Sequence, residues 1–139
     1  MNRAELRRLA NDRIEDARIL LDHDRWTAAY HLVGFAVETG LKACILKFVE
    51  DTGVIFTDKK FAEKCWTHRL EDLIKQANLE PKLGQDIQAN PTLGGYWGVV
   101  KDWTEISRYQ QKTDAEAKDL YDAVTSDPDG VFRWIQQHW

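Results

Sequence analysis

The stretch from Trp26 to Val49 constrains the chain most. Apolar residues almost surround it, among them Leu32, Val33, Phe35, Ala36, Val37, Leu41, Ile45, Leu46 and Phe48. The spacing is helical, and it predicts a second helix over Arg25 to Glu50, about 40 Å long. A helix that is apolar all round is central and is touched on several sides. Gly34 and Gly40 fall inside it, each costing about 1 kcal/mol relative to Ala. Close approach of a neighbouring helix is the expected compensation. Gly53 is the stop signal. Glu38 and Lys42 interrupt the run, so it does not read as a membrane span.

The remaining helices follow from periodicity and punctuation. Leu6, Ala10, Ile14, Ala17 and Leu21 mark one face of a first helix over Arg3 to Leu21. The short break at His23-Asp24 makes it an antiparallel partner of the second helix. Val54-Ile55-Phe56 reads as a short extended piece, and Lys59, Lys60, Glu63 and Lys64 as a solvated loop or helical turn. Thr67 is the expected cap of a third helix carrying Leu70, Leu73, Ile74 and Ala77. Glu80-Pro81 ends it, with a short helical turn to Ala89. Asn90-Pro91 starts a fourth helix, expected to carry Trp97, Val100, Trp103 and Ile106 as far as Arg108-Tyr109. Thr113 and Glu116 form a capping box, which starts a helix at Asp114 with Ala117, Leu120, Tyr121 and Val124 inward. Asp127-Pro128 starts a last short helix with Val131, Ile135 and Trp139 on one side. Strand signals are weak. The expected fold is all-α, an up-and-down bundle of five or six helices around a long central second helix, in a single domain over residues 1–139.

A chain of 139 residues can bury a real core. Its formal net charge of -4 supplies no global field for nucleic acid or anionic membrane, which leaves room only for a local basic patch. The opening MNRAELRRLANDR has no signal-peptide pattern. The two cysteines, Cys44 and Cys65, make no disulfide framework. A cytoplasmic protein is expected.

His31, Glu38 and Lys42 are the main polar feature. Their spacings of seven and four put them on one face of the second helix, and Glu before Lys at i,i+4 favours an ion pair. The stripe reads either as a structural ion pair on a partly exposed edge or as a polar pocket facing a partner. Arg108-Tyr109 is the second feature. Arg108 has the side chain best suited to bidentate phosphate or carboxylate recognition; its bland alternative is an ion pair with Glu38 or Glu105, or hydrogen bonds to the terminal carbonyls of a helix. Gly94-Gly95-Tyr96-Trp97-Gly98 lacks the lysine of a phosphate loop. Cys65-x-x-His68 supplies two zinc-type ligands where a structural site takes four, so no metal and no cofactor are expected. The six tryptophans read as core.

The segment Ala17-Arg-Ile-Leu-Leu21, followed by Arg25-Trp-Thr-Ala-Ala-Tyr-His-Leu-Val-Gly-Phe-Ala-Val-Glu-Thr-Gly-Leu-Lys-Ala43, resembles the HEPN domain. The Arg108-Tyr109 pair, the helix from Ala115 to Val124 and the ending Val131-Phe-Arg-Trp-Ile135 add to the likeness. The resemblance implies a helical bundle, often a homodimer, acting in toxin–antitoxin or defence systems. Some members work beside a minimal nucleotidyltransferase. Catalytic members are metal-independent ribonucleases that carry an Arg followed, after a short spacer, by a His. Arg108 is followed by Tyr, Gln, Gln, Lys, Thr, Asp and Ala instead. Arg25 with His31, and Arg133 with His138, have comparable spacings elsewhere. The expectation is a non-catalytic domain with no catalytic residue, in which His31, Glu38, Lys42, Arg108 and Tyr109 bind a partner, a nucleotide or RNA. The alternative is a divergent ribonuclease acting on single-stranded RNA, using Arg108 with His31 or His68.

Overall fold

A computed structural model describes all 139 residues. Eight α-helices form the fold: α1 Arg3–Asp22, α2 Trp26–Thr52, α3 Lys59–Lys64, α4 Leu70–Gln76, α5 Glu80–Ala89, α6 Pro91–Val100, α7 Asp114–Thr125 and α8 Val131–Gln136. Two 3-10 turns, Val54–Phe56 and Glu105–Tyr109, complete it, and there is no strand.

The first two helices form as the pattern predicts. Asn2 and Glu5 make a reciprocal capping box that starts α1. Ala10 and Ala17 are fully buried, and their small side chains let α1 lie close along α2. An ion pair of 3.0 Å joins Arg3 near the start of α1 to Glu50 near the end of α2, so the two run antiparallel. Gly53 ends α2 at φ +65°, with its N–H donating to the Val49 carbonyl.

α2 is the axis of the molecule. α1, α4, α7, α8 and the 105–109 turn all pack on it, burying Val33, Val37, Leu41 and Ile45. Its two glycines are explained by neighbours. A Cβ on Gly34 would fall within the indole of Trp103, and one on Gly40 would sit 3.0 Å from Ile135 Cγ2. At Gly40 the close neighbour is a helix, α8, as expected. At Gly34 it is a single tryptophan from the segment after α6.

Beyond α2 the chain is more broken than periodicity predicts, which raises the helix count from five or six to eight. Val54–Phe56 is a 3-10 turn rather than extended. Asp58 caps α3 by accepting from the Lys60 N–H at 2.9 Å. Thr67 anchors the approach to α4 rather than capping it: its Oγ1 accepts from the Arg69 N–H and donates to Asp72. Asn78, at φ +59°, breaks the chain before Glu80, so Glu80-Pro81 opens a full helix instead of ending one. α6 stops at Val100, which leaves Trp103 buried in a connection and Ile106 exposed. α8 begins after Gly130, three residues later than Asp127-Pro128 implies. The capping residues Asn90 and Thr113 act as expected. No helix is long and apolar enough to cross a membrane.

Candidate functional site

α2 begins without a cap. Arg25 occupies the N-cap position, no side chain bonds to the first N–H groups, and the first turn holds no acid. A helix start in this state presents free donors and the positive end of the helix dipole. Around it lies a cleft of about 580 Å³, lined by Asp24, Arg25, Thr27, His31, Arg108 and Lys112 together with Trp26, Ala28 and Gln111. The far wall is fastened by the Lys112 N–H, which donates to Thr27 Oγ1 at 3.0 Å. The Lys112 ammonium lies over the Tyr30 ring at 4.5 Å and 3.6 Å from Glu116. Arg25 and Arg108 form no ion pair. The chain is acidic overall, yet this cleft is cationic.

His31 forms the floor on the α2 side. Its Nδ1 shares a 3.2 Å hydrogen bond with Ser107 Oγ, a buried hydroxyl. The ring leans on Trp103 and stacks with Phe35, at centroid distances of 5.8 and 6.5 Å. Burial, and then the Arg108 charge, hold its pKa below the ordinary imidazole value, with Glu38 opposing. Both effects favour the neutral imidazole over the charged one.

Two turns further along α2 the stripe changes character. Glu38 is only 3% exposed. One carboxylate oxygen accepts from His68 Nδ1 at 2.6 Å, and the other lies 4.0 Å from the Lys42 ammonium. The expected i,i+4 pair with Lys42 is present but long. The short contact comes from His68, in the segment before α4, whose ring is turned so that Nε2 points away from the carboxylate. Burial pushes the nearby Cys65 thiol up, partly offset by the Lys42 charge.

The five residues singled out from sequence thus fall into two groups. His31 and Arg108 share the cleft, and Glu38 and Lys42 meet His68 instead. Tyr109 is 78% exposed and does not line the cleft; the Arg108 guanidinium stacks on its ring at 5.0 Å. Arg108 pairs with neither Glu38 nor Glu105 and donates to no terminal carbonyl; its side chain lies over Tyr109 instead. Sequence reasoning gave no weight to Lys112 and Thr27, and noted Arg25 only for its distance from His31. One signal for this site was legible: an Arg where a long helix would ordinarily be capped by Ser, Thr, Asp or Asn. Compared with family models, curated proteins and solved structures, the chain matches none.

Proposed function

We propose that this is a HEPN-like, non-catalytic helical domain that binds a phosphate-bearing ligand, a nucleotide or the backbone of RNA, at the start of α2. It acts in the cytosol as a homodimer or beside a nucleotidyltransferase-like partner, in a toxin–antitoxin or defence setting. One observation carries the ligand part: two arginines without carboxylate partners, Arg25 and Arg108, flank an uncapped helix N-terminus in a cleft that also holds Lys112. Free helix N–H groups and guanidinium forks are the two standard protein donors for phosphate oxygens. The resemblance of the α2 sequence to HEPN domains carries the rest.

Thermal unfolding against inorganic phosphate, pyrophosphate, a nucleotide panel and a short single-stranded RNA tests the reading. A ligand at 100 times its Kd stabilises by about 2.7 kcal/mol, enough for a clear rise in Tm. Absence of any shift with all four classes refutes it.

A second reading is supported by His31 and Arg108 lining one cleft. A neutral imidazole there can take the proton of a ribose 2′-hydroxyl, whose oxygen attacks the adjacent phosphorus. The 5′-oxygen leaves with a proton from water, and Arg108 balances the charge on the non-bridging oxygens. This reading requires metal-independent cleavage of single-stranded RNA that is lost in both His31→Ala and Arg108→Ala. Binding without cleavage selects the non-catalytic reading.

A further inference from the structure

The segment from Val54 to Trp66 carries the two most exposed large apolar side chains of the molecule. Phe56 is 93% exposed and Trp66 is 83% exposed, with Ile55 also exposed beside Phe56. Large aromatic side chains this open to water, within one short stretch of chain, mark an interaction surface rather than scattered exposure. They bracket α3, whose central Phe61 is buried and packs against Phe48 at 6.1 Å. With Phe61 inward, helical geometry turns Lys59 and Glu63 outward, and both are exposed in the chain between the two aromatics.

The charges of α3 are also unusual. Elsewhere, helix-surface lysines pair with a nearby acid: Lys47 with Asp51, Lys75 with Glu80, Lys82 with Asp86 and Lys118 with Asp114. Lys59 and Glu63 have i,i+4 spacing and opposite charge, yet they do not pair. Lys60 and Lys64 have no carboxylate partner either.

We infer that this face is the contact between two copies of the chain, in which Phe56 and Trp66 pack across a two-fold axis and Lys59 of each copy meets Glu63 of the other. The choice of occupant follows from the charges. A patch carrying both signs around an apolar centre complements itself under two-fold symmetry. A polyanion or an anionic membrane would be drawn by Lys59, Lys60 and Lys64 but repelled by Asp58 and Glu63, whereas a second copy answers both signs. The size is adequate. An aromatic side chain buries about 150–250 Å², so Phe56 and Trp66 supply about half of the roughly 800 Å² that a stable interface takes from each partner. Ile55 and the lysine stems add to it. The inference rests on the dimer proposed above and is independent of the ligand cleft.

Light scattering on the full chain at about 100 μM, well above the micromolar Kd of an ordinary dimer, tests it. The wild type is expected to be a dimer, and Phe56→Asp with Trp66→Asp a monomer. Circular dichroism should be unchanged, because both side chains are exposed. Lys59→Glu alone and Glu63→Lys alone should each weaken the dimer at least tenfold, and the two together should restore it. A dimer that survives the aromatic replacements overturns this surface and leaves dimerisation standing. A wild type that stays monomeric overturns both, and if it then binds anionic vesicles or a polyanion through Phe56 and Trp66, the occupant was wrongly chosen. Failure of the charge reversal to rescue overturns the two-fold register. None of these outcomes alters phosphate binding at the cleft, so the two readings fail separately.

Discussion

His31 and Glu38 stand seven residues apart on one helix face, and their surroundings are opposite in kind. At Glu38 the partners come from within the fold: the buried carboxylate is bonded to His68 and flanked by Lys42. At His31 the neighbouring cations are left open, with Arg25 and Arg108 unpaired beside free helix donors. A buried charge that finds its partners inside the fold contributes to the fold. Charges left unpaired on the rim of a cleft do nothing for the folded state, and they are available to a ligand. The same spacing pattern on one helix therefore produces a structural half and a binding half.

Four measurements test this contrast. The largest effect is expected at Gly34, between the halves, where Trp103 supports His31. Gly34→Ala should lower stability by about 3 kcal/mol in urea unfolding, because overpacking against a buried indole outweighs the gain in helix propensity. A loss below about 1 kcal/mol would mean that Trp103 moves freely and does not fix the cleft floor. Next is Glu38→Ala, expected to cost about 2 kcal/mol through the lost charge-assisted hydrogen bond and the space left behind. Ligand affinity should stay as it was; a large fall there would join Glu38 to the binding half.

Arg25→Ala and Arg108→Ala should do the reverse. Each should change stability by less than about 0.5 kcal/mol. Each should also weaken phosphate or nucleotide binding about tenfold, the equivalent of one charge-assisted hydrogen bond. Calorimetric titration with pyrophosphate separates the two quantities. If either variant unfolds readily, the arginine belongs to the structural half after all.

The smallest effect concerns pH. His31 has a depressed pKa in the folded protein, so the unfolded chain binds its proton more readily. The stability associated with the neutral ring is fully present above about pH 6.5 and is lost as pH falls through the lower folded value. His138, also depressed, chiefly by burial, adds to the same trend. Chemical denaturation between pH 7.5 and about pH 5 should show this slope, and His31→Gln should flatten part of it. An unchanged slope in that variant would mean that the His31 environment is looser than its contacts with Ser107 and Trp103 imply.

Much of the fold is legible in the residues. The capping box at Thr113, the Asn90-Pro91 start and the Gly53 stop are local devices, satisfied within a few residues of themselves. They therefore work the same way in any context. The misreadings fall where a local signal admits two outcomes. Glu80-Pro81 suits either the end of one helix or the first turn of the next, and the left-handed Asn78 decides it. Trp103 and Ile106 keep a helical spacing after α6 has ended, so one is buried and the other exposed for reasons that lie across the molecule. The candidate site was half legible. His31 and Arg108 carry recognisable chemistry, whereas Lys112 reads as an ordinary surface lysine until the 105–109 turn and the start of α7 bring it to Thr27.

The amino-acid sequence by itself determined an all-α chain built on one long apolar helix, where that helix begins and ends, and that His31, Glu38 and Lys42 share its polar face. Periodicity, the His23-Asp24 break and the Gly53 stop decide these features, and all act over a few residues. Only the tertiary structure decided that the stripe divides: Glu38 goes to His68, 30 residues away, and His31 to Ser107, 76 residues away. A polar side chain is satisfied by whatever the fold brings within about 3 Å of it. Spacing along one helix states which residues face the same way, and says nothing of which partners the rest of the chain will deliver.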